Sequence, residues 1–219
     1  MDEKKLSCVD CAVTNCEKDI AGRYPAFCLT EKMDETVKAD ALSCYEEPEN
    51  FRVMEAAAEV ECEGYCQWPR VREIAEFAKK MGFRKIGIAT CVGLIDEART
   101  AAKIFRSHGF QVYGAACKVG SVDKTDVGLD EKNNAVGCKM CNPILQAKLL
   151  NEEGTQLNVV VGLCVGHDSL FMKYSDALVT TLVTKDRVTG HNPAAALYNS
   201  RSYFGPRIMG DADRGTDLL

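Results

Sequence analysis

Ile86-Gly87-Ile88-Ala89-Thr90-Cys91, then an apolar-periodic stretch from about Ile95 to His108, then Gln111-Val112-Tyr113-Gly114-Ala115, decides the fold. Two short β-branched and small-residue runs, separated by a helix-length segment that closes near Gly109, read as a βαβ unit. Strands joined this way pair in parallel through a right-handed crossover, so the sheet is covered by helices on both faces.

The pattern continues in both directions. Downstream, a polar loop from Gly120 to Gly137 leads to a helix starting near Asn142-Pro143, a strand Val159-Val160-Val161-Gly162-Leu163, a short helix from Ser169 to Tyr174, and a fourth strand, Leu178 to Val183. His191-Asn192-Pro193 reads as the entry to a last helix, with Asn192 as N-cap and Pro193 at its first position. Upstream, Asp34 or Thr30 caps a helix, Pro48 interrupts, and Pro69 opens a helix whose Val71, Ile74, Ala75, Ala78 and Met81 share one face before Gly82. The expected class is α/β: a parallel sheet of about four strands flanked by helices, with an N-terminal cysteine-rich metal knuckle and a helical connector. The expected segments are 1–33 (cysteine-rich), 34–82 (connector), 83–209 (α/β domain) and 210–219 (a disordered tail).

Composition narrows the function classes. The 219 residues carry a formal charge of −5 with both signs interspersed, which gives no basic patch for phosphate backbones and argues against nucleic acid. No apolar run approaches the roughly 20 residues of a membrane span, and no hydrophobic segment follows Lys4-Lys5 as a signal peptide requires. The expectation is a cytoplasmic protein without membrane contact, its oligomeric state open. Twelve cysteines in such a chain point to metal binding or redox chemistry rather than to structural disulfides.

Their positions sharpen this. Cys91, Cys117 and Cys164 each follow a predicted strand, and ligands of open parallel sheets bind at the carboxyl ends of strands. A buried small hydrophobe accounts for any one of them, but poorly for three at equivalent ends. Cys138-Lys139-Met140-Cys141 places a CxxC pair before the helix at Pro143, where amides and the helix dipole favour thiolate. These five are the expected ligands of an iron–sulfur or related centre, with Cys138 and Cys141 completing it or shuttling electrons or sulfur. Cys8, Cys11, Cys16 and Cys28 lie within 21 residues in a core-poor segment and suit zinc or a cluster. Cys62 and Cys66 are weaker ligand candidates, and Cys44 reads as core.

Gly162-Leu163-Cys164-Val165-Gly166 also matches a nucleophile elbow with cysteine for serine, followed by Asp176 or Asp186 and then His191, so a cysteine hydrolase is an alternative. It leaves the other thiols unexplained. His167 beside this turn is the candidate proton donor, or a helix-start residue with no chemistry. His108, closing its helix, is assigned none.

With the cysteine array, Gly162 to Phe171 and Thr189-Gly190-His191-Asn192-Pro193 in hand, the chain resembles a family of unknown function made up of small, cysteine-rich microbial proteins described as presumed metal-binding. The resemblance runs from Cys8 to about Met209 and implies metal binding without an established reaction. By architecture alone the strand-end arrangement is also similar to open-cluster enzymes such as quinolinate synthase. The expected function is redox or sulfur-transfer chemistry on a small molecule or with a redox partner protein, with an iron–sulfur cluster at the strand ends and zinc possible at the N-terminal site. A non-catalytic metal carrier or sensor is the other alternative.

Overall fold

The computed structural model of the chain describes residues 5–18, 20 and 22–210, and the chain divides into two compact units, Met1–Glu55 and Ala56–Leu219. Residues 211–219, nearly all of the tail expected at 210–219, lie outside the described residues.

In the first unit, single turns at Cys8–Asp10 and Asn15–Glu17 precede α1 (Leu29–Lys32) and α2 (Glu35–Ser43). Asp34 caps α2, accepting from the Thr36 amide and hydroxyl. After a turn at Cys44–Glu46, α3 (Pro48–Gly64) starts on Pro48 and runs across the boundary between the units. None of the described residues of this first unit is buried, so it has no hydrophobic core of its own. Cys44, expected in a core, is exposed, as is every residue of α2 before it.

The second unit holds α4 (Arg70–Lys80), β1 (Lys85–Thr90), α5 (Ile95–Ser107), β2 (Gln111–Ala116), α6 (Pro143–Glu152), β3 (Leu157–Val161), α7 (His167–Tyr174), β4 (Leu178–Val183), α8 (Ala194–Tyr198) and α9 (Gly205–Ile208). The strands form one parallel sheet in the order β2-β1-β3-β4. Alternate residues of β1 meet different helices. Ile88 and Thr90 line a groove with Ala98 and Ala102 of α5, while Gly87 faces Leu150 of α6 so closely that a Cβ there would overlap the Asn158 side chain. The core between these layers includes Phe105, Phe171, Ile86, Ile88 and Leu150, each contributing about 1.5–3 kcal/mol by burial.

Three helices hand the chain to the next strand through one device. Gly82 after α4, Gly109 after α5 and Gly154 after α6 take positive φ. The following amides of Phe83, Phe110 and Thr155 donate back to Ala78, Phe105 and Leu150 respectively, which is the Schellman closure. At the other end of α6, Asn142 caps through the Leu145 amide and Pro143 fills the first helical position.

Three element boundaries depart from the sequence reading. β3 ends at Val161, not Leu163, because Gly162 turns left-handed at φ 67 and its amide donates to Val183 O. The helix expected from Ser169 begins two residues earlier, at His167. The helix after His191 begins at Ala194 with Pro193 rather than Asn192 in the cap position, since His191 itself is left-handed at φ 68.

Candidate functional site

The register of the sheet assembles the thiols. Thr90 pairs with Ala116 across β1 and β2, and Cys91 and Cys117 are the next residues on each strand. The ladder continues past the strand ends: the Cys117 amide donates to Thr90 O and the Cys91 amide to Val161 O. Both thiols are buried. Cys141 is brought in by its backbone, because the amide of Asn142 donates to Cys117 O at 2.8 Å. The Cys141 and Cys117 sulfurs then lie 3.7 Å apart. Two amides are directed at sulfur, Val92 to Cys117 Sγ and Gly93 to Cys91 Sγ, each at 3.4 Å.

A polar clamp sits behind this pair of strand ends. Gln146, fully buried on α6, donates its amide to Thr90 O at 3.1 Å and to Ala115 O at 2.7 Å. Its own carbonyl oxygen has no partner among the described residues. One side chain therefore holds the carboxyl ends of β1 and β2 in fixed register just before Cys91 and Cys117.

Cys164 stands farther out, since Gly162 and Leu163 separate it from the end of β3, and it is half-buried. Its sulfur is met by the Arg187 guanidinium at 3.1 Å, while Lys185 Nζ lies 3.6 Å from Cys91 Sγ. Both cations follow β4 just as the cysteines follow the other strands. The sequence reading missed them, although the rule that located Cys91 and Cys117 points equally to Lys185 and Arg187. Gln146, inside a helix, leaves no such signal.

Electrostatics follow from the crowding. Burial pushes the Cys117 thiol up to about 12; the Val92 amide opposes this, and neighbouring Cys141 and Cys91 add to it. The Arg187 guanidinium is raised further by the Cys164 sulfur. Burial holds His167 below its ordinary value, with Lys118 and Arg187 pushing the same way and Asp168 against. His167 is thus a neutral imidazole near pH 7, suited to accept a proton or offer its single ring N–H, rather than a standing imidazolium donor.

Other predicted residues are placed elsewhere. Cys138 is exposed on the loop before α6, which an isolated bridge between Asp123 and Lys139 ties back, and its thiol hydrogen-bonds the Asp123 carboxylate. Only Cys141 of the CxxC pair therefore joins the buried thiols. Cys62 lies in the last turn of α3 and Cys66 just beyond it at φ 56, both exposed. In the first unit Cys8 and Cys16 are exposed and Cys11 and Cys28 half-exposed. For Cys28 the desolvation that raises a thiol is outweighed by hydrogen bonds from the Glu31 amide and from Thr30, so it sits below the ordinary 9.0. Among the described residues, no group of three or more histidine, cysteine or carboxylate side chains is arranged to hold a metal ion.

The hydrolase arrangement finds little support in these contacts. His191 Nδ1 accepts the Asp186 amide at 3.1 Å, which places the ring proton on the other nitrogen. The Asp186 carboxylate is taken by the amides of Val188 and Thr189. Asp176 precedes β4 and so lies at the opposite, amino edge of the sheet. The group found on Cys164 is a guanidinium, not an imidazole.

Two of these thiols are spaced as the ligands of a soft metal are. Thiolates select zinc and iron–sulfur clusters, and amide N–H groups on sulfur are the outer contacts that tune such centres. Two sulfurs about 2.3 Å from one tetrahedral ion stand about 3.8 Å apart, close to the separation of Cys117 and Cys141.

Comparison with known proteins gives a family and names no reaction. An uncharacterized protein of Methanocaldococcus jannaschii is 46% identical over 165 residues, which cover 75% of this chain and 84% of that one. A family model described as a protein of unknown function, DUF1847, matches residues 28–182. That span takes in Cys28 and every strand-end cysteine, but leaves out Cys8, Cys11, Cys16, Lys185 and Arg187. The chain belongs to the DUF1847 family.

Proposed function

We propose that this chain is a metal–thiolate protein whose strand-end centre, an iron–sulfur cluster or a zinc ion, is held by Cys91, Cys117 and Cys141, and that it carries out redox or sulfur-transfer chemistry on a small molecule. The observation that carries the reading is the 3.7 Å approach of the Cys117 and Cys141 sulfurs, with Cys91 at the neighbouring strand end and amides aimed at the Cys91 and Cys117 sulfurs. Three protein ligands are the pattern of a centre with one position left for substrate. Such a centre, when bound, would supply electron transfer or Lewis acidity. The chain's own residues do the rest. Cys164, held by Arg187, presents a sulfur beside the centre; His167 accepts or returns a proton; exposed Cys138 is the thiol best placed to exchange with a redox partner. Cys8, Cys11, Cys16 and Cys28 are proposed as a separate structural site, supported by a unit without buried residues.

The test is to purify the protein without oxygen and measure iron, zinc and acid-labile sulfide per chain. Iron with matching sulfide, lost in Cys91→Ser, Cys117→Ser or Cys141→Ser, supports a cluster; one zinc lost in the same variants supports the zinc form. Metal content unchanged by all three substitutions rejects a strand-end centre. The second reading is then a metal-free dithiol, because the 3.7 Å between Cys117 and Cys141 also suits oxidation to a disulfide.

A further inference from the structure

We infer that the carboxyl end of the sheet is built to take an anionic small molecule, one bearing a carboxylate or another oxyanion, held by Arg187 with Lys185 and Lys118 beside Cys164. Over much of the surface the cations are paired with carboxylates: Lys80 with Glu59 and Glu63, Lys85 with Glu153, Lys139 with Asp123, Arg72 with Glu76. Among the described residues none of Lys118, Lys185 and Arg187 has a carboxylate within ion-pair distance. Lys118 reaches only the carbonyl of Lys139, and the other two reach sulfur. The acids closest in sequence are engaged: Asp186 by the amides of its own turn, Asp168 by the Ser169 amide.

The donor count leaves capacity for a ligand. A guanidinium offers five N–H donors in a fork that matches an oxyanion, and one bond to Cys164 leaves most of that fork free. Lys185 likewise uses one donor on sulfur. Arg187 is exposed and Cys164 half-buried, so both are open to a small molecule. Val165 and Val188, next to them in sequence, are 93% and 74% exposed. The inference deepens the proposed function by naming the charge class of its substrate, and its test reads no metal.

Full-length protein, as purified and after chelation, is treated with iodoacetate and separately with iodoacetamide, and the alkylation rate of Cys164 is followed by peptide mass spectrometry. In both reactions the sulfur–carbon bond forms, iodide leaves and the thiol proton passes to solvent, so the reagents differ in charge. Any effect of Arg187 on the thiolate fraction multiplies both rates and cancels in their ratio. The iodoacetate-to-iodoacetamide ratio at Cys164 is expected to exceed that of 2-mercaptoethanol in the same buffer by about fivefold, the size of one close charge contact in a solvent-exposed setting. It should fall to the 2-mercaptoethanol value in Arg187→Gln, survive in part in Arg187→Lys, and drop when inorganic phosphate competes. A wild-type ratio no higher than that of 2-mercaptoethanol overturns the inference, as does a Cys164 inert to both reagents in the chelated protein. Failure to find metal leaves the ratio unaffected and so counts only against the metal reading.

Discussion

The sulfur of Cys141 lies 3.7 Å from that of Cys117, although 24 residues and an exposed loop separate them in the chain. The Asn142 amide on Cys117 O fixes the backbones, so the two side chains are close before any metal arrives. Cys138, the other half of the CxxC motif, is turned instead to Asp123.

Mild oxidation of the metal-free protein should therefore link Cys117 to Cys141 and leave Cys138 out. Diamide takes up the two electrons and two protons as the sulfur–sulfur bond forms. Peptide mapping should show the 117–141 cross-link in wild type and in Cys138→Ser, and lose it in Cys141→Ser. A 138–141 link as the main product would show that the motif, not the sheet register, sets the pairing.

The elevated Cys117 value gives a pH dependence with a definite sign. The fold favours the protonated thiol, since the folded value near 12 exceeds the ordinary 9.0. That contribution to stability is complete below about pH 9 and is lost as pH rises toward 12. Denaturant midpoints of the metal-free protein should fall across this alkaline window, and fall less in Cys117→Ala. With metal bound the proton is already displaced, so metal uptake should release protons and weaken as pH drops. A midpoint equally alkali-sensitive in both proteins would remove Cys117 as the cause.

Gln146→Leu tests the clamp at the strand ends. The substitution nearly keeps volume but withdraws the donor that serves Thr90 O and Ala115 O, and also removes the unpartnered carbonyl oxygen. Losing the donor costs about 1–3 kcal/mol, and deleting the orphan acceptor offsets part of it. The expected result is a loss of about 1–2 kcal/mol together with amide-exchange protection lost first at Cys91 and Cys117. A variant as stable as wild type with unchanged protection there would mean that the ladder alone holds the register.

These positions show where the sequence speaks and where it is silent. The βαβα order was legible because each strand is a short apolar run and the helices before β1 and β2 close on Gly82 and Gly109. Cys91 and Cys117 were legible as neighbours because one-to-one parallel register carries equivalent strand ends side by side. Cys141 was placed at the same rim, but its closeness to Cys117 depends on a loop whose course no periodicity records. The split of the CxxC pair likewise depends on the bridge between Asp123 and Lys139. Lys185 and Arg187 went unread because charged residues after a strand resemble any solvent-facing turn until a sulfur is seen against them.

Metal removal should act unequally on the two units. The described residues of Met1–Glu55 include none that is buried, whereas Ala56–Leu219 holds the whole hydrophobic core. If Cys8, Cys11, Cys16 and Cys28 share a metal, chelation should open the first unit to limited proteolysis while a fragment starting near residue 56 persists. The same digestion pattern with and without chelator would mean that this unit does not depend on metal for its order.

Gly162 supplies the last test, because it sets where Cys164 stands. Its φ of 67 is in the left-handed region, and a Cβ there would lie 2.7 Å from Leu94 Cδ1, a side chain only 1% exposed. Alanine at this position carries a backbone cost of about 1–2 kcal/mol and an overpacking cost of about 1–3 kcal/mol against Leu94. Gly162→Ala should therefore lower stability by about 2–5 kcal/mol and displace the turn that holds Cys164 beside Arg187. Gly166, also at positive φ but with open space around its would-be Cβ, isolates the backbone part, so Gly166→Ala should cost only about 1–2 kcal/mol. Equal losses in the two variants would show that the contact with Leu94 is not what fixes the turn, and that the left-handed backbone alone carries Cys164 to its place.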